Sequence, residues 1–214
     1  MDSQGVSAAG FVLVGGRSRR MGRDKALLEL EGKPMFLRIA ELVQPQVKEF
    51  MLLGSAAGSA TGSAAGSAER YARFGIPVVE DQYPAMGPLG ALCTGLKISS
   101  CDWNLFFACD LPHLRRRIVA MLLERARHTS AEAVVPRVRD RWQPLCAAYH
   151  RSCLPAMEAA IHRGHDLSIR GLLPLLRVEV LSPDSSDDLR AWEEMFANTN
   201  TASEWEKEQR GTGR

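Results

Sequence analysis

The sequence predicts an α/β fold, a three-layer Rossmann-like arrangement with a mainly parallel twisted sheet and helices on both faces. Three observations predict it. Short apolar runs of β type alternate with segments of helical periodicity along the chain, the order that builds parallel strands joined by crossover helices. The run Trp103-Asn104-Leu105-Phe106-Phe107-Ala108-Cys109 is apolar with little alternation, as a strand covered on both faces should be. The 214 residues, 45% hydrophobic and 24% charged, suffice for one sizeable domain with its own core.

Phe11-Val12-Leu13-Val14 predicts a first strand over 10–14. A helix over 34–43 opens at Pro34, whose missing N–H costs nothing in a first turn. Strands over 47–53 and 76–80 follow. Gly87-Pro88 opens a helix over 87–98, and the buried run gives a strand over 103–109. A helix over 114–128 and strands over 133–136 and 145–149 come next. Helices near 151–163 and 167–174, a strand over 176–181, and helices near 187–196 and 201–209 complete the chain. We expect a single domain over 1–214, with tails at 1–9 and 210–214. One segment, 54–68, repeats Gly-Ser-Ala with glycines at 54, 58, 62 and 66. Each glycine would weaken a helix by ~1 kcal/mol, so this segment reads as a flexible surface insertion.

A net charge of +2 is too small to argue for nucleic acid. The positive charge is local, at Arg17, Arg19, Arg20, Arg23 and Lys25. A second cluster, Arg115-Arg116-Arg117, reads as a solvated helix face. Five cysteines (Cys93, Cys101, Cys109, Cys146 and Cys153) show no CxxC spacing and an odd total. That argues against a disulfide framework or structural zinc and for reduced thiols in a cytoplasm. No apolar run approaches the ~18 residues that span a bilayer, and the first ten residues lack a signal-peptide pattern. The expectation is a cytoplasmic protein with neither membrane nor nucleic acid as partner.

The stretch from Leu13 to Lys25 carries the chemistry. It runs from a strand into Gly15-Gly16-Arg17-Ser18-Arg19-Arg20-Met21-Gly22-Arg23-Asp24. Glycines let backbone N–H groups approach an anion, arginines offer forked donors, and lysine adds a mobile point charge. A loop of this kind is suited to nucleotide phosphates. It has neither the Gly-Lys-Ser/Thr spacing of a P-loop nor the GxGxxG of a dinucleotide fold.

Leu13-Val14-Gly15-Gly16-Arg17-Ser18-Arg19-Arg20-Met21-Gly22-Arg23-Asp24-Lys25-Ala26-Leu27-Leu28, followed by Gly32-Lys33-Pro34, resembles the signature of the molybdenum cofactor guanylyltransferases, MobA-like nucleotidyltransferases. Glu80-Asp81 with Gly87-Pro88-Leu89-Gly90 resembles a second family element, and Cys109-Asp110-Leu111-Pro112 a third. Gln143-Pro144-Leu145, the run from Ser168 to Leu173, and Asn198-Thr199-Asn200-Thr201 resemble later ones, so the likeness covers about residues 10–205.

The resemblance implies transfer of GMP from GTP to the terminal phosphate of Mo-molybdopterin, with release of pyrophosphate. It makes Arg19, Lys25 and Asp110 the catalytic residues, with Arg19 and Lys25 clamping the triphosphate and the developing pyrophosphate. Asp110 would hold Mg²⁺, the expected cofactor. Leu13, Val14, Gly15, Lys25, Asp81 and Asp110 would line the nucleotide, and Asn198 and Asn200 would lie near the pterin. GTP and Mo-molybdopterin are the implied substrates, with molybdoenzymes or their chaperones as further partners. The Gly15-Gly16 pair leans toward guanine. The alternatives are a molybdopterin cytidylyltransferase, a sugar-1-phosphate nucleotidyltransferase, and a non-catalytic nucleotide-binding or cofactor-carrier module. The chain departs from the family at Val14, which stands where alanine is usual, and at Ala202-Ser203-Glu204, which replaces a proline-led helix start. A polar nucleotide contact of the family falls in the repeat, near Gly54 and Ser55, and is not carried over. Asp24 reads as a loop cap rather than a ligand.

Overall fold

The computed structural model describes residues 7–14, 24–54, 66–83, 86–164 and 168–197. Its first strand, β1 (Ala8–Leu13), is small or apolar at every position. Ala8 and Val12 join one apolar core, whereas Ala9 and Phe11 join another. Alternate side chains of a strand point to opposite faces, so β1 is covered on both. A two-residue hairpin follows, β2 (Glu29–Leu30) and β3 (Lys33–Pro34). Then come α1 (Met35–Val43), β4 (Glu49–Gly54), α2 (Ser67–Tyr71), β5 (Val78–Glu80) and α3 (Gly87–Ile98). The buried run forms β6 (Trp103–Ala108), followed by α4 (Arg116–His128), β7 (Ala133–Val138), β8 (Arg141–Trp142) and β9 (Cys146–His150). The described chain closes with α5 (Leu154–Arg163), α6 (Ile169–Leu172), β10 (Val178–Leu181) and α7 (Ser186–Met195).

The main sheet has the order β10-β7-β9-β6-β1-β4-β5, with β8 on the side of β7. β1 is parallel to β4 and β6, β4 to β5, and β7 to β10. β9 runs against both of its neighbours. The mainly parallel sheet therefore stands, with β9 reversed within it. From β1 the chain builds outward through β4 and β5, then crosses back to lay β6 on the other side of β1. The strand order switches at the β1–β6 boundary, and an open parallel sheet leaves a crevice beyond the strand ends at such a point.

Helices cover both faces. Phe36, Ile39 and Val43 of α1, Ile118 and Leu122 of α4, and Trp192 of α7 pack with Val12, Leu105 and Phe107. Leu89, Leu92 and Leu96 of α3, Met157 of α5 and Leu172 of α6 pack with Phe11, Phe106 and Tyr149. Phe11 and Phe106 stack across β1 and β6 with centroids 5.0 Å apart. The arginines at 115 and 117 lie on an exposed face, opposite Glu194 and Asp188 of α7. Exposed pairs of that kind contribute little to stability.

Several boundaries differ from expectation. Ala8 and Ala9, expected within a tail over 1–9, are buried in β1 beside β6. Pro34 precedes α1 as its cap and pairs in β3. Both ends of the insertion expected over 54–68 belong to regular elements instead, and 55–65 lie outside the described residues. Gly54 closes β4, and Ser67 and Ala68 open α2. The two short hairpin pieces, β8 and α2 were not expected. The helix near 201–209 and the tail at 210–214 lie outside the described residues.

Candidate active site

The carboxyl ends of β1, β4, β5 and β6 lie side by side. Leu13 is level with Leu53 on one side and Ala108 on the other, and Gly54 is level with Glu80. Val14 continues the bonding by donating its N–H to the Leu53 carbonyl at 2.7 Å, and Asp81 donates to that of Gly54 at 2.8 Å. The chain thus leaves the sheet at Val14, Gly54, Asp81 and Asp110 along one edge.

Two residues far apart in sequence meet at the switch point. Lys25 starts a short turn, Lys25–Leu27, after the β1 loop. Asp110 stands two residues after β6. The Lys25 Nζ donates to Asp110 Oδ2 at 3.1 Å, and the side chains are only 14% and 23% exposed. Shielding from water strengthens such a pair, and the contact sets one cation and one carboxylate beyond the carboxyl ends of β1 and β6. Beside them, burial first and the Asp110 carboxylate second push the Cys109 thiol up to about 12. That thiol stays protonated at neutral pH and does not compete with Asp110 for a cation.

Asp24 is a cap, as its sequence context suggests. Its Oδ1 accepts from the Ala26 N–H at 3.2 Å. Its Oδ2 accepts from Arg70 Nη1 at 2.9 Å and from the Tyr71 hydroxyl at 3.0 Å. Asp81 also shapes a turn: its Oδ1 accepts from the Tyr83 N–H and lies against the Thr94 hydroxyl, both at 2.9 Å. The Thr94 hydroxyl in turn accepts from the Gln82 N–H at 2.9 Å. Gly90 lets this turn lie on α3, because a Cβ there would meet the Tyr83 carbonyl oxygen at 2.6 Å and Asp81 Oδ2 at 3.1 Å.

Residues 10–179 match the MobA-like NTP transferase domain. The chain belongs to the MobA-like NTP transferase family. It is 33% identical over 203 residues to a probable molybdenum cofactor guanylyltransferase of Pelotomaculum thermopropionicum, covering 93% of this chain and 90% of that one. It is 35% identical over 155 residues to the molybdenum cofactor guanylyltransferase of a Shewanella species, covering 72% and 74%. The fold matches the crystal structure of molybdopterin-guanine dinucleotide biosynthesis protein A from Archaeoglobus fulgidus. There the TM-score is 0.78 at 21% identity, over 95% of this chain and 98% of that one. This MobA-like chain is thus a nucleotidyltransferase, with the family's mixed sheet.

Within this MobA-like fold, Leu13, Val14, Lys25, Asp81 and Asp110 fall on one edge of the sheet. Of these, Lys25 and Asp110 are in direct contact. Arg19, Gly15, Asn198 and Asn200 lie outside the described residues. Sequence reading missed Arg70, Tyr71 and Thr94. Glu69-Arg70-Tyr71 is the first charged and aromatic run after the Gly-Ser-Ala repeat, and Thr94 is the polar residue within an apolar helical stretch. Those two contrasts were the available signals.

Gly54 marks the tightest contact of the site edge. A Cβ there would lie 2.2 Å from Ser67 Cβ and 2.4 Å from Ser67 Oγ, and Ser67 is fully buried. Gly54→Ala is expected to lower stability by about 3 kcal/mol through overpacking, measured by urea unfolding. An unchanged midpoint would show that α2 does not sit against β4 in solution.

Proposed function

We propose that this enzyme transfers GMP from GTP to the terminal phosphate of Mo-molybdopterin, giving molybdopterin guanine dinucleotide and pyrophosphate. The observation that carries the reading is the Lys25–Asp110 pair at the switch point, in a chain 33% identical to a probable guanylyltransferase over nearly its whole length.

The chemistry asks for positioning and charge neutralisation more than for covalent work. A phosphate oxygen of the acceptor attacks the α-phosphorus of GTP. A new P–O bond forms as the bond to the β-phosphate oxygen breaks, and the electron pair leaves with pyrophosphate. Lys25, joined by Arg19 of the same loop, stabilises that leaving charge. Leu13, Val14 and Gly15 border the nucleotide. The remaining carboxylate capacity of Asp81 accepts from the guanine edge or the ribose, and Asn198 and Asn200 serve the pterin side.

Asp110 fits a hard divalent ion. Its carboxylate is accessible enough to share, and among the described residues no three His, Cys, Asp or Glu side chains converge as a protein cage. Mg²⁺ matches that donor set, since it binds through one or two carboxylates and takes its other ligands from phosphates and water. When bound, it supplies neutralisation across the phosphates.

The products imply onward transfer to molybdoenzymes or their chaperones. Five free cysteines favour a reducing cytoplasm. Among the described residues no helix is long and apolar enough to cross a membrane.

Incubation with Mg²⁺, Mo-molybdopterin and each nucleoside triphosphate in turn tests the reading by release of pyrophosphate. GTP is expected to react at least about tenfold faster than CTP, since a site that hydrogen-bonds one base leaves its groups unpaired against another. Preference for CTP would make the enzyme a cytidylyltransferase. Turnover only with a sugar 1-phosphate acceptor would make it a sugar nucleotidyltransferase. Nucleotide binding without any turnover would make it a carrier.

A further inference from the structure

We infer that Arg70 and Tyr71 are positioning residues, which act through Asp24 to hold the turn that presents Lys25. The inference deepens the reading of Lys25 as a phosphate-binding cation and rests on it.

Three donors converge on the Asp24 carboxylate. Oδ1 takes the Ala26 N–H, while Oδ2 takes both Arg70 Nη1 and the Tyr71 hydroxyl. The side chains of Arg70 and Asp24 are only 14% and 10% exposed. The turn also closes on the backbone of Asp24, whose carbonyl accepts from the Leu27 N–H at 3.1 Å. Lys25 is thus the first residue of a turn fixed at both ends of Asp24. From the other side, Arg70 Nη2 donates to Ser67 Oγ at 3.2 Å, and Ser67 presses on Gly54 at the end of β4. One line of contacts therefore runs from β4 through α2 to Asp24 and Lys25, and on to Asp110 after β6.

A packing role does not require these polar groups. The Tyr71 ring already meets Phe36 edge-on, with centroids 5.0 Å apart, and phenylalanine would make the same contact. Arg70 even keeps a buried Nε with no hydrogen-bond partner. Burying a guanidinium and a hydroxyl is costly unless their bonds are used. Here both are spent on the carboxylate next to the reactive lysine.

Arg70→Gln and Tyr71→Phe, each made in the parent chain and in Lys25→Ala, test the inference as double-mutant cycles. Inorganic tripolyphosphate is the probe, because Lys25 would meet phosphate whatever the base or acceptor, and calorimetry reads its binding. In the parent chain each substitution is expected to weaken binding, Arg70→Gln by about tenfold. In Lys25→Ala neither should have a further effect. Equal losses in both backgrounds would show that Arg70 contacts the phosphates itself or serves the fold alone, and would overturn the inference. No loss in the parent chain would do the same. A ligand-free measurement runs alongside: hydrogen exchange at the Ala26 amide should speed up in both variants, and unchanged exchange counts against the brace. If no triphosphate is turned over by the parent chain, the proposed reaction fails while these binding and exchange results still decide the role of α2.

Discussion

Asp110→Ala should lower pyrophosphate release by about a thousandfold while the protein stays folded. The side chain sits at the edge of the sheet, not within it, and its described bond is to Lys25. Removing it takes away both the carboxylate proposed to hold a divalent ion and the counter-charge of a lysine that is only 14% exposed. Circular dichroism and thermal unfolding separate loss of chemistry from loss of structure. Asp110→Asn sharpens the test, because it keeps the volume and a hydrogen-bond acceptor for Lys25 but loses the charge. Its rate should fall nearly as far. An unchanged rate in either folded variant would remove Asp110 from the reaction.

Lys25→Ala should lower kcat/KM for GTP by about a hundredfold. The loss should appear in both parameters: KM rises because a ground-state phosphate contact is gone, and kcat falls because charge builds up on the leaving pyrophosphate. Lys25→Arg keeps the positive charge but replaces a compact ammonium with a planar fork, so it should recover only part of the rate. Steady-state kinetics across GTP concentrations provides the check. If KM alone changed, Lys25 would be an anchor with no part in the departure of pyrophosphate.

The central architecture was legible because its signals are local and strong. The buried run of β6 carries apolar side chains on both faces, and the Gly87-Pro88 start of α3 is written in two residues. Both appear where expected, α3 with the same limits. Asp110 and Lys25 could be picked out by residue type and by resemblance. Their contact could not, because 85 positions separate them and only the order of β1 and β6 in the sheet brings them together. β9 shows a similar limit: its apolar pattern reads as a strand, but nothing in five residues tells whether it runs with or against β6. The hairpin at Glu29–Leu30 and Lys33–Pro34 is too short for periodicity to register. α2 was hidden by its length, since Ala68, Glu69 and Arg70 favour a helix but five residues beside a glycine repeat are too few to register as one. Tertiary contacts with Gly54, Phe36 and Asp24 hold it in place.

The closeness of Gly54 to Ser67 has a consequence for how the chain can vary. The Gly-Ser-Ala repeat leaves the sheet at one of these residues and returns at the other, so both of its anchors are fixed and adjacent. The junction is thus made by contact between the two residues themselves, whatever the sequence between them. A change at either anchor, by contrast, would be felt a few residues on in sequence, where Arg70 and Tyr71 of α2 hold the Asp24 carboxylate.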